Sequence, residues 1–110
     1  MKNRLRSFRH AIDGLYSIVG KEANLNIHIV ISLFVMIFGV LFSISKTEWM
    51  LCIICFGLVI GLEIINTAIE NLVNMVSPEY NELAGKVKDI AAGAVLVAAI
   101  CSAIVGLLIF

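Results

Sequence analysis

The sequence predicts an all-α membrane protein, in which an N-terminal amphipathic surface helix precedes three transmembrane helices. Of its 110 residues 61% are apolar and only 15% charged, and the mean hydropathy of +1.04 is far above that of a soluble domain. Three apolar runs are each long enough to cross a bilayer. The basic residues Lys2, Arg4, Arg6, Arg9 and Lys21 all precede the first of them. That excess places the N-terminus on the cytoplasmic side of the cell membrane.

From Leu5 to Val19 the residues Leu5, Phe8, Ile12, Leu15, Tyr16 and Val19 recur at steps of three and four, with Arg6, His10, Asp13, Ser17 and Lys21 opposite them. This predicts an amphipathic helix over residues 1–21 that lies on the membrane surface. No apolar stretch with a small-residue cleavage site stands at the extreme N-terminus, so the first membrane helix is expected to be retained.

The first crossing is expected over 27–44, about 27 Å long at the helical rise. A polar link, Ser45 to Glu48, follows on the outside, with Trp49 as an interfacial anchor. The second run, 49–76, would reach roughly 42 Å, more than a hydrocarbon core of ~30 Å, so its last turns should emerge into the cytoplasm. Ser77-Pro78 ends it. The stretch Glu79 to Asp89 is the most polar part of the chain and returns as a cytoplasmic loop or helix entry. The third crossing, 90–110, carries no charge.

Ala94, Ala98, Ser102 and Gly106, together with Gly57 and Gly61, are expected to permit close helix contact. Cys52, Cys55 and Cys101 lie inside apolar runs and read as packing residues rather than metal ligands. A chain this short could hardly enclose a polar site with three helices. One domain over 1–110, completed by oligomerisation, is expected.

Chemistry concentrates on the second crossing. Glu63, Asn66, Thr67, Glu70 and Asn74 fall within roughly 100° of one helix face. Carboxylates in a membrane segment are costly and mark function by default. A solvated Glu70 beside a protonated or paired Glu63 is the plainer reading, and a proton relay would use such residues too. Their company favours phosphoryl transfer to a lipid hydroxyl: Glu22 before the first crossing, and Glu79, Tyr80, Asn81, Lys86, Lys88 and Asp89 in the polar stretch, share the cytoplasmic side. Carboxylates suit a divalent cation and lysines suit phosphate. No G-x-x-x-x-G-K-(S/T) or strand-associated G-x-G-x-x-G is present.

The segments Glu63-Ile-Ile-Asn-Thr-Ala-Ile-Glu70, Glu79-Tyr-Asn-Glu-Leu-Ala and Lys88-Asp89-Ile-Ala-Ala-Gly-Ala-Val-Leu96 resemble the prokaryotic diacylglycerol kinase family over nearly the whole chain. The resemblance implies a homotrimer with cytoplasmic active sites shared between subunits, ATP as phosphoryl donor and Mg²⁺ as cofactor. It implies Glu63 as general base on the lipid hydroxyl, Asn66 in support, and Glu22 with Glu70 at the metal and nucleotide. Glu79, Tyr80, Asn81, Lys88 and Asp89 would bind ATP, with Arg4 and His10 as weaker matches. Asn74 stands where many members have Asp.

Within the family, Glu22-Ala-Asn-Leu-Asn-Ile-His28 looks more like the E-x-N-F-x-I-H of the undecaprenol kinases, with Leu25 replacing Phe. Undecaprenol is thus the expected substrate, diacylglycerol the alternative, with Asn24, His28 and Glu63 near the lipid. A small multidrug-type transporter would put a charge in its first crossing, where this chain has none. A non-catalytic assembly protein leaves the acidic face unexplained. No nucleic-acid partner is expected.

Overall fold

The computed structural model of the chain describes residues 2–110. They form four helices: α1 (Lys2–Ile18), α2 (Ala23–Leu41), α3 (Lys46–Val76) and α4 (Glu82–Ile109). There is no strand among the described residues. The last three helices are long and apolar enough to cross a membrane.

Local chemistry sets each boundary. After α1 the chain turns at Gly20, whose φ of 84° is open to glycine without a Cβ penalty, and the Gly20 amide donates to Asn26 Oδ1 at 3.1 Å. At the end of α2, Ile44 N donates to Gly39 O and Ser43 N to Val40 O, a Schellman closure with Ser43 in the left-handed position at φ 50°. The expected polar link is largely the start of α3. Ser45 Oγ accepts from Glu48 N while Glu48 Oε1 accepts from Ser45 N, a reciprocal cap. Part of the stretch read as loop or helix entry is helical as well, because Asn81 Oδ1 accepts from Leu83 N and Ala84 N and opens α4 at Glu82.

The tight turn after α2 makes α2 and α3 antiparallel. A Cβ on Gly39 would meet the Trp49 ring at 2.7 Å, so the absent side chain is what lets that ring lie against α2. Trp49 is therefore a packing residue as well as a candidate interfacial anchor. At the other end of the pair His28 faces Glu63. Helix α4 packs along α3 more extensively than α2 does. The Phe42 and Phe110 rings, 5.9 Å apart, bring the C-terminal ends of α2 and α4 together.

Little of this arrangement is buried. Among the described residues Leu25, Cys52, Val59 and Val95 are the apolar ones shielded from the surroundings, whereas Phe34, Ile53, Leu107 and their like are exposed. Such a surface requires lipid or neighbouring helices against it. Gly57, Gly61 and Gly106 have no atom within 4 Å of an added Cβ, so the close contacts expected of these small residues are not made within the chain. The close approach falls at Gly39 instead. The apolar residues of α1, among them Leu5, Phe8 and Tyr16, are exposed.

Candidate active site

Glu63, Asn66 and Thr67 are the buried polar residues among those described, and all three sit on α3. Thr67 Oγ1 donates to the Glu63 carbonyl at 3.1 Å, returning its hydroxyl to its own helix. Asn66 Nδ2 donates to Glu70 Oε1 at 3.3 Å. Asn66 Oδ1, in contrast, is buried without a partner. An unsatisfied buried acceptor costs about 1–3 kcal/mol, which marks the amide as awaiting a donor or a cation. The Glu63 carboxylate meets α2: its Oε2 lies 3.7 Å from His28 Nε2.

That contact sets the register of the helix pair. Glu22 is six residues before His28 and Glu70 seven residues after Glu63, so helical rise carries them ~9 and ~10 Å toward the same end. Both are half-buried, and Glu22, although it occupies the N-cap of α2, spends no side-chain bond on the cap. Among the described residues no three His, Cys, Asp or Glu side chains converge as a metal cage. Mg²⁺ does not ask for one, since it commonly takes one or two carboxylates and completes its shell with waters and substrate phosphates. Two carboxylates and an orphaned amide oxygen fit that demand.

Beyond Glu70 the same face of α3 runs into a polar pocket of about 250 Å³ formed where α3 ends and α4 begins, lined by Asn74, Glu79, Tyr80, Asn81, Lys88 and Asp89. All five residues expected there for nucleotide thus share one cavity. Lys88 Nζ donates to Asn74 Oδ1 at 2.6 Å, and Tyr80 is 90% exposed. The role of Asn74 in holding Lys88 was not legible in the sequence. Arg4 and His10, on α1, are exposed and make no hydrogen bond or ion pair with this cluster among the described residues. Asn24 is exposed in the first turn of α2.

In the opposite direction from Glu63 lies an apolar crevice of about 260 Å³ between α2, α3 and α4, lined by His28, Val35, Cys55, Val59, Ser102 and Gly106 among others. Sequence reasoning had no signal for it. Its walls are the cysteines and small residues that read as packing, and only the assembled helices reveal the space between them.

One face of α3 therefore carries, in order, an apolar crevice, a buried carboxylate, an orphaned amide, a second carboxylate and a polar pocket with a lysine. An apolar crevice suits a lipid chain and a polar pocket a phosphate donor, the pairing that a membrane lipid kinase requires. The chain belongs to the prokaryotic diacylglycerol kinase family, whose sequence model matches residues 9–110.

It is 41% identical over 105 residues to the undecaprenol kinase of Bacillus subtilis, across 96% of this chain and 85% of that protein. It is 38% identical over 105 residues to the diacylglycerol kinase of Synechocystis sp., covering 94% of this chain and 60% of that one. A 47-residue stretch is 47% identical to the diacylglycerol kinase of Escherichia coli, covering 43% of this chain and 38% of the relative. The chain is a lipid kinase, with ATP the phosphoryl donor its family implies. The transporter reading finds no support among these relatives.

Proposed function

We propose that this protein transfers the γ-phosphoryl group of ATP to the hydroxyl of undecaprenol, giving undecaprenyl phosphate. The observation that carries the reading is the single α3 face on which Glu63 lies between an apolar crevice and a polar pocket. The polyprenol chain lies in the crevice and its hydroxyl reaches Glu63. Glu63 accepts the hydroxyl proton as the oxygen bonds to the γ-phosphorus and the bond to the β-phosphate oxygen breaks. Glu22 and Glu70, with Asn66 Oδ1, would hold Mg²⁺, which would supply charge neutralisation on the phosphates. Glu79, Tyr80, Asn81, Lys88 and Asp89 hold the nucleotide, Lys88 by its charge on phosphate, with Arg4 and His10 of α1 the weaker candidates for contact with it.

The wider arrangement follows from the same reading. One domain over 1–110 crosses the membrane three times, with α1 along the cytoplasmic surface and the site at that face, where ATP is available. A homotrimer covers the apolar faces that one chain leaves exposed. The choice of undecaprenol rests on the Glu22 to His28 segment and on the likeness to the Bacillus subtilis undecaprenol kinase across nearly the whole chain. Diacylglycerol is the second reading, favoured by the Synechocystis and Escherichia coli relatives.

Purified protein in mixed micelles with Mg²⁺ and γ-labelled ATP should move label into undecaprenol. Glu63→Gln should lower the transfer by roughly 10²- to 10⁴-fold while leaving nucleotide binding intact, because an amide keeps the shape but accepts no proton. Near-parental transfer by Glu63→Gln would remove Glu63 from the base role.

A further inference from the structure

We infer that His28 is a positioning residue for Glu63, acting on turnover through that carboxylate rather than by gripping the lipid. The inference rests on the reading of Glu63 as the general base.

Glu63 is 4% exposed, yet its neighbours on α3 give its carboxylate no hydrogen bond among the described residues. Thr67 turns to the Glu63 backbone and Asn66 to Glu70. The charged partner of the carboxylate comes from another helix: His28 Nε2, 3.7 Å from Oε2, makes the one ion-pair contact found among the described residues. At that distance the imidazole is just outside direct hydrogen-bonding range, and a small side-chain adjustment or one intervening water closes the gap.

The turn of α2 that carries the imidazole is held in place. Ser32 Oγ donates to the His28 carbonyl at 2.8 Å and sits one turn along α2, while Leu25, wholly buried one turn before, anchors that side of the helix. His28 also lines the rim of the apolar crevice, with its side chain 22% exposed. A carboxylate on a flexible glutamate has several rotamers, and only those that aim an oxygen lone pair at the lipid hydroxyl are productive. An N–H from across the helix interface selects among them. Small displacements of a reacting group cost on the order of 10²-fold in rate, so this selection is large enough to matter.

The consequence separates His28 from a lipid-binding role. A group that only grips the lipid changes KM for the lipid. A group that aligns the base changes kcat, because alignment is realised in the transition state. Glutamine restores an N–H near the Nε2 position, whereas leucine fills the space without a donor.

The experiment compares the parent, His28→Leu, His28→Gln, Glu63→Gln and the double variant His28→Leu/Glu63→Gln, measuring kcat, both KM values and nucleotide affinity. His28→Leu should lower kcat by about tenfold to a hundredfold, with nucleotide affinity unchanged as the sign of an intact fold. His28→Gln should recover most of that loss. Adding His28→Leu to Glu63→Gln should cost less than about twofold more, since the two residues act as a unit.

A raised lipid KM with kcat unchanged, or equal losses in the leucine and glutamine variants, overturns the positioning role. So does a full further loss in the double variant. If Glu63→Gln alone keeps parental turnover, the base reading fails instead, and that outcome is read independently of the His28 variants.

Discussion

Asn66 divides its amide between two tasks. Its Nδ2 donates to Glu70, which fixes the carboxylate, while its Oδ1 is buried and unpaired. In the proposed site Glu70 and Asn66 Oδ1 face the same cation, with Glu22 arriving from α2. Removing either carboxylate leaves Mg²⁺ short of an oxygen ligand and weakens the metal-nucleotide complex. Glu22→Ala and Glu70→Ala should each raise the Mg²⁺ concentration for half-maximal activity at least tenfold. Mg²⁺ titrations that overlay the parent would show that the metal lies elsewhere.

These residues were legible in the sequence because charged and amide side chains at helical spacing inside an apolar run have few structural explanations. The Asn74 to Lys88 bond was not legible, since it depends on where α4 crosses α3. Leu25 sits between the two cases. The resemblance to the undecaprenol kinases marks it as standing in place of Phe, and its complete burial puts that exchange in the packing under α2 rather than at an exposed contact.

At the scale of the helices, hydropathy located each span, but boundaries followed from caps that hydropathy does not see. The Ser45 and Glu48 pair draws α3 back to Lys46, and Asn81 draws α4 back to Glu82. The small-residue pattern is likewise not used within one chain. Gly57 and Gly61 carry the recognisable spacing yet have no neighbouring helix within 4 Å of an added Cβ, whereas the isolated Gly39 receives Trp49. Close approach depends on what the facing helix presents, which spacing alone does not encode. Gly39→Leu should destabilise the detergent-solubilised protein by about 1–3 kcal/mol through overpacking against Trp49 and Ile44. Denaturant unfolding measures this, and an unchanged midpoint would place the Trp49 ring elsewhere.

For the whole molecule, the sparse core is the feature with the widest reach. A chain that buries four apolar residues among those described while exposing Phe34, Ile53 and Leu107 owes its stability to its surroundings. The orientation of the chain in those surroundings decides whether ATP reaches the polar pocket. Seven of the eight Lys and Arg residues fall on the side of α1 and the start of α4, so that side should be cytoplasmic. In a background with the native cysteines replaced, an impermeant thiol reagent outside intact cells should label Lys46→Cys and not Lys86→Cys. The opposite pattern would put the site where no ATP is present.

Lipid choice is also a property of the assembled crevice, which the sequence announced only indirectly through the Glu22 to His28 segment. Both candidate substrates present a primary hydroxyl that Glu63 can serve, so discrimination falls to the walls. Ester carbonyls call for hydrogen-bond donors, and donors left unpaired by a polyprenol would cost ~1–3 kcal/mol each. The crevice walls are overwhelmingly apolar, with His28 and Ser32 as the polar groups near its Glu63 end, and Ser32 Oγ already donates to the His28 carbonyl. That composition suits an isoprenoid chain. The most direct test of the account is kcat/KM for undecaprenol and for diacylglycerol, measured with the same protein in the same mixed micelles. Undecaprenol should give the higher value, and a preference for diacylglycerol of tenfold or more would contradict the substrate assignment.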